Sequence, residues 1–186
     1  MNCSVPFYHV FVFMGVSGSG KSTIANAVAY RLHAAVLDGD FLHPRDNIEK
    51  MSSGCALSDR DRRPWLQAIN HAIFAMQRTN RLSLIVCSAL KKSYRNILRM
   101  DHPNLSFIYL KGDFWTIQER LKARKGHFFQ SQMLITQFEI LEDPSNDEKD
   151  VWLVNVNQSL ECVIDATIQI IENVIQSHIG ESSCIQ

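Results

Sequence analysis

The sequence predicts an α/β domain: a parallel five-stranded sheet with helices on both faces and a mobile lid. Three observations predict it. Five short apolar runs alternate with helix-forming stretches along the whole chain, and strand–helix alternation builds parallel sheets covered on both faces. The first run leads without a break into a glycine-rich loop and then a helix-forming segment. The chain has 186 residues, which suits a single domain over 1–186 and is too short for two full-sized ones.

The strands follow from the apolar runs. Val10–Met14, Ala34–Leu37, Leu84–Cys87, Phe107–Leu110 and Val151–Val154 are nearly unbroken, as strands buried on both faces are. Between them the spacing predicts helices near Lys21–His33, Asp61–Asn80, Lys92–Met100, Phe114–Arg124 and Met133–Leu141. A last helix near Leu160–Ile175 carries Leu160, Val163, Ile164, Ile168, Ile171 and Ile175 on one stripe, which is expected to pack on the chain's own sheet. In the long helix after the second strand, Asp61 is read as the N-cap, with Pro64 at the third helical position, where no donor is needed. The polar stretch 142–150 reads as a loop, and the tail from about 177 to 186 is expected to fray.

Composition excludes several classes. Hydrophobic residues make up 46% and charged residues 20%, so a disordered or fibrous chain is ruled out. Lys and Arg total 19 against 19 Asp and Glu, a balance that argues against nucleic-acid or polybasic membrane binding. No apolar run reaches the 18 or so residues of a membrane span. The first residues lack the basic and apolar regions of a secretory signal. Five cysteines (Cys3, Cys55, Cys87, Cys162 and Cys184) are odd in number and have no short metal-type spacing. Reduced thiols and a cytoplasmic location are the expectation.

Function is carried first by Gly15-Val16-Ser17-Gly18-Ser19-Gly20-Lys21-Ser22, which fits G-x-x-x-x-G-K-[ST] with a strand before it and a helix after. This is the phosphate-binding loop of P-loop NTPases. Its glycines let successive N–H groups converge, and the helix N-terminus adds partial positive charge. Gly15 through Ser22, together with Thr23, are the expected nucleotide-binding residues. Lys21 is expected to reach the β- and γ-phosphates of ATP, and the Ser22 hydroxyl to ligate Mg²⁺. No Asp stands three residues before any glycine and no Asn is followed by Lys, so a regulatory GTPase is disfavoured. A domain this small is expected to phosphorylate a small molecule.

The second strand ends in Leu37-Asp38-Gly39-Asp40. Ligands of parallel sheets bind beyond the carboxyl ends of the strands, and side chains two apart in an extended segment share a face. Asp38 and Asp40 are therefore expected together at the nucleotide. One would serve Mg²⁺ and the other would accept the proton of the attacking hydroxyl. Asp40 lies further from the strand end and is assigned the hydroxyl, with Asp38 on the metal side; an exchange of the two roles stays open.

Here a family resemblance becomes specific. Met14–Ser22, Asp38-Gly39-Asp40-x-x-His43-Pro44, Asn47-Ile48-x-Lys50-Met51, Leu57-x-Asp59-x-Asp61-Arg62-x-Pro64-Trp65-Leu66, Cys87-Ser88-Ala89-Leu90-Lys91-Lys92-x-Tyr94-Arg95 and Gly126-His127-Phe128 resemble the small P-loop gluconokinases, from about Val10 to Val156. The resemblance implies a shikimate-kinase-like fold and ATP-dependent phosphorylation of D-gluconate at its 6-hydroxyl. It also implies a homodimer and a mobile lid at about 120–136. A kinase for another polyol acid or a nucleoside monophosphate, and an ATP-binding regulator without turnover, are the alternatives that the residues leave open.

Gluconate carries a carboxylate and several hydroxyls, so its site needs a cation and polar donors. His43, Arg45, Asn47 and Lys50 follow the acidic turn, Arg62 opens the next helix, and Lys91 follows the third strand. The resemblance adds His127. Trp65 is expected to be packing. Arg120 and Arg124 are four apart and so share a helix face before the helix-breaking Gly126. They suit a lid that closes over ATP and neutralises charge on the transferring phosphoryl group.

Overall fold

The computed structural model describes residues 8–123 and 131–182. Its elements are β1 (His9–Met14), α1 (Lys21–Leu32), β2 (Ala35–Asp38), a 3-10 turn (Gly39–Leu42), α2 (Arg45–Ser52), α3 (Asp59–Thr79), β3 (Leu82–Val86), α4 (Lys92–Arg99), β4 (Leu105–Lys111), α5 (Phe114–Ala123), α6 (Ser131–Ile140), β5 (Val151–Asn155) and α7 (Leu160–Ser182). The strands form one parallel sheet in the order β2-β3-β1-β4-β5.

The central strand β1 shows why its apolar run is unbroken. Phe11 and Phe13 point to one layer, with Ile24 and Val28 of α1 and Val163, Ile171 and Val174 of α7. Val10, Val12 and Met14 point to the other, with Trp65, Leu66, Ile69 and Ile73 of α3 and Leu98 of α4. All six β1 residues are buried, and each large apolar side chain so buried contributes about 1.5–3 kcal/mol. Edge strand β5 is different: Trp152 and Leu153 are exposed while Val154 is buried. The α7 stripe packs on the sheet as expected, except that Leu160 is exposed.

Two expectations are corrected, the N-cap of α3 and the place of Pro64 in it. The N-cap of α3 is Ser58, not Asp61; Asp61 is the third helical residue and closes a capping box, its carboxylate accepting from Ser58 N at 2.7 Å. Pro64 therefore lies inside the helix, where it denies Arg60 its intrahelical donor. Residues 45–52 form a helix of their own, because Pro44 leads in and Asp46 occupies the first turn. α7 runs as far as Ser182. Among the described residues Cys55, Cys87 and Cys162 are free thiols, and no helix is long and apolar enough to cross a membrane.

Candidate active site

The glycine-rich loop joins β1 to α1. Gly15 N donates to Ser88 O at 3.1 Å, tying the loop's start to the end of β3. Gly18 has φ +83°, and a Cβ there would lie 2.6 Å from the Leu121 side chain; both strain and crowding demand glycine. No side chain caps α1, so its first N–H groups are left for an anion. The Lys21 ammonium donates to Gly15 O and Val16 O, each at 3.0 Å. Burial holds its pKa below the ordinary lysine value, with Asp40 foremost among the groups pulling the other way.

Across from Lys21, the chain leaves β2 in a 3-10 turn rather than continuing extended. The alternation argument for Asp38 and Asp40 thus fails, yet the turn delivers both carboxylates toward Lys21, whose ionisation each affects. Asp38 accepts from Asp40 N at 3.1 Å through one oxygen and from Ser22 Oγ at 3.0 Å through the other. Asp40 has its pKa raised by burial and by Asp38, against the opposing pull of Lys21. Gly39 lies so close to β3 that a Cβ would sit 2.6 Å from Val86 O. Trp65 donates its indole N–H to Gly39 O at 2.7 Å, holding the turn from beneath.

The residues beyond the turn fall into two groups. His43 stacks on Trp65, and burial, aided by the charge of Arg62, lowers its pKa to about 4. Asn47, buried, donates to Asp61 O at 2.8 Å and lies 3.3 Å from His43 Nδ1. The Arg62 Nε donates to Leu57 O at 3.3 Å, its guanidinium 5.9 Å from the Tyr94 ring centre. His43 meets Asn47, Arg62 and Trp65, and Trp65 ties the group to the acidic turn. The other expected cations are engaged or turned outward. Lys50 pairs with Asp61 at 2.6 Å and Lys91 with Asp59 at 2.9 Å, while Arg45 is exposed beside Glu49 at 3.4 Å. Arg124 and His127 lie outside the described residues.

Arg120 lies beside the glycine-rich loop. Its guanidinium donates to Val156 O at 2.6 Å and lines a cleft of about 230 Å³ with Gly18, Ser19, Gly20, Thr23 and Leu160. That cleft lies on the α7 side of the loop, away from the acidic turn.

Sequence reasoning missed the frame behind the site. Arg95 is fully buried; its guanidinium takes both oxygens of Glu148 at 2.7 Å and donates to Ala89 O, Leu90 O and Glu142 O. It thereby knits the loop after β3 to the loop after α6. The pairing holds Glu148 well below the usual carboxylate range. Gln137 of α6 was also missed: its Oε1 accepts from Ser17 N at 2.6 Å. A contact 120 positions apart leaves no trace in local sequence.

A five-stranded parallel sheet with this loop leaving its central strand defines a P-loop nucleotide-binding transferase. The family profile "Shikimate kinase" matches residues 17–176. The thermoresistant gluconokinase of Escherichia coli K12 is 67% identical over 165 residues, covering 89% of this chain and 94% of that protein. The thermosensitive gluconokinase of the same strain is 45% identical over 169 residues, covering 91% and 90%. A gluconokinase crystal structure from Sinorhizobium meliloti 1021 superposes with a TM-score of 0.85 at 39% identity, covering 95% of this chain and 98% of that one. The chain belongs to the shikimate kinase-like family, in its gluconokinase branch.

Proposed function

We propose that this protein transfers the γ-phosphoryl group of ATP to the 6-hydroxyl of D-gluconate, giving 6-phospho-D-gluconate. The observation that carries the chemistry is the meeting of Lys21, seated on the loop carbonyls, with the Asp38–Asp40 turn. The named relatives supply the substrate. Asp40 orients the primary hydroxyl and takes its proton as transfer proceeds; a loose transition state needs little base strength. Lys21 and the uncapped N–H groups at the start of α1 hold the phosphates. Arg62 and His43 face the acceptor, with Arg62 the cation for its carboxylate. Arg120 serves the nucleotide end through its cleft.

Ser22 and Asp38 suit Mg²⁺. A hydroxyl and a carboxylate oxygen 3.0 Å apart are hard donors, and Mg²⁺ commonly takes one or two protein oxygens and completes its shell with phosphates and water. When bound, the ion neutralises charge on the β- and γ-oxygens. The protein is proposed as one cytoplasmic domain over 1–186 with a lid at about 120–136, working as a homodimer.

A coupled ADP-release assay across gluconate, other aldonates, shikimate and nucleoside monophosphates tests the reading. Gluconate is expected to give the highest kcat/KM. Preference for shikimate or a nucleotide, or no turnover with any acceptor, would overturn it.

A further inference from the structure

We infer that Gln137 is a positioning residue for the phosphate cradle, fixing the Val16–Ser17 peptide in the orientation that seats Lys21. The inference rests on the kinase reading above and adds a residue to it. The carbonyl of that peptide accepts from Lys21 Nζ at 3.0 Å, and its N–H donates to Gln137 Oε1 at 2.6 Å. The peptide is trans, so its C=O and N–H point in opposite directions. Lys21 and Ser19 N hold this rigid plane by its carbonyl, and Gln137 holds it by its N–H, so releasing Gln137 frees that side.

Two other loop amides find backbone partners: Gly15 N goes to Ser88 O and Ser19 N to Val16 O. Ser17 N instead goes to a side chain, which makes its satisfaction depend on α6 being in place. That helix is well docked. Leu134 is buried, Phe138 meets Phe114 edge-on at 5.4 Å, and Glu142 N donates to Leu90 O at 2.9 Å just past its end. An amide suits this place for an electrostatic reason. Glutamine offers a neutral acceptor, whereas a carboxylate would put negative charge beside the triphosphate.

The test compares Gln137→Met and Gln137→Glu with the wild type. Gln137→Met keeps length and volume but removes the acceptor. It is expected to keep the melting temperature within a degree or two and to lower kcat about tenfold, the scale of one lost hydrogen bond at a site that must be preorganised. Affinity for a non-hydrolysable ATP analogue should fall severalfold, with KM for gluconate unchanged within about twofold. Gln137→Glu keeps an acceptor, so its kcat relative to wild type should rise as pH falls from about 8 toward about 4.5, where a glutamic carboxyl nears half neutrality. Wild-type kcat and analogue affinity in Gln137→Met would overturn the inference. So would a loss confined to KM for gluconate, or a flat pH ratio for Gln137→Glu. Analogue affinity involves no acceptor, so if wild type left gluconate untouched while Gln137→Met still lost affinity, the substrate reading would fail and this one would stand.

Discussion

His43 lies face to face on Trp65, ring centres 4.2 Å apart and planes inclined by 12°, while the same indole donates its N–H to Gly39 O. One side chain thus supports both the acidic turn and the imidazole beyond it. The stacking leaves His43 little room for a hydration shell, which is why its neutral form is favoured.

That preference sets a pH dependence. His43 falls to about 4, His9 to about 3 and His102 is also lowered, in each case chiefly through burial. Between about pH 6.5 and those values the unfolded chain binds more protons than the folded one. Stability should therefore fall as pH drops through that window. Thermal melts from pH 7 to 4.5 check the trend, and an imidazole titration by NMR checks the cause. A His43 midpoint near 6.5 would contradict it.

Lys21→Met should abolish phosphoryl transfer, by on the order of a thousandfold or more, while leaving the fold intact. The ammonium bonds loop carbonyls rather than core. A folded variant with wild-type kcat would remove the central claim.

The acidic turn allows a paired comparison. Asp38 already shares a hydrogen bond with Ser22, whereas Asp40 gives its ionisation to Lys21 and burial. Asp40→Asn should keep ATP binding and lose roughly a hundredfold or more in turnover. Asp38→Asn should raise the Mg²⁺ concentration needed for half-maximal rate. Rescue of Asp40→Asn, but not Asp38→Asn, by added Mg²⁺ would exchange the two roles.

Arg120→Ala should act on the nucleotide. Its cleft is lined by Gly18–Gly20 and by neither Asp38 nor Asp40, so KM for ATP should rise severalfold with KM for gluconate little changed. A fall in kcat alone would return Arg120 to the role of a phosphoryl clamp.

Arg95→Met should destabilise the protein by about 1–3 kcal/mol, because Glu148 would keep Arg99 at 2.7 Å but lose its buried bidentate partner, and Ala89 O, Leu90 O and Glu142 O would lose their donor. Denaturant melts measure this. Removing Glu148 as well, in Arg95→Met with Glu148→Leu, should recover part of the loss.

What the sequence disclosed and what it hid have physical causes. Strands β1 and β4 announced themselves because both their faces are covered. The cradle was legible because its backbone geometry requires glycines at fixed spacing. The start of α3 was misplaced because Asp61 and Ser58 cap reciprocally, and the acid drew attention from the serine. Lys50 and Lys91 looked like acceptor cations, but local charge patterning says nothing about Asp61 and Asp59 folding back onto them. The burial of Arg95 had no local signal; only the tertiary fold brings Glu148 to it. The strand order could not be read at all, since long-range pairing leaves no periodicity.

The strand order carries a consequence for how the chain is made. β1 emerges first from the ribosome, yet its two partners are β3 and β4, not β2. Until residues 82–86 and 105–111 have followed it, the segment His9–Met14 has two open edges and an apolar surface on each face, the state in which nascent strands are most prone to stray pairing. The loop that follows cannot take its shape before then, because Gly15 is pinned to Ser88. The phosphate cradle, although it is made early, thus waits for residues 88 and 137 before its own loop is pinned.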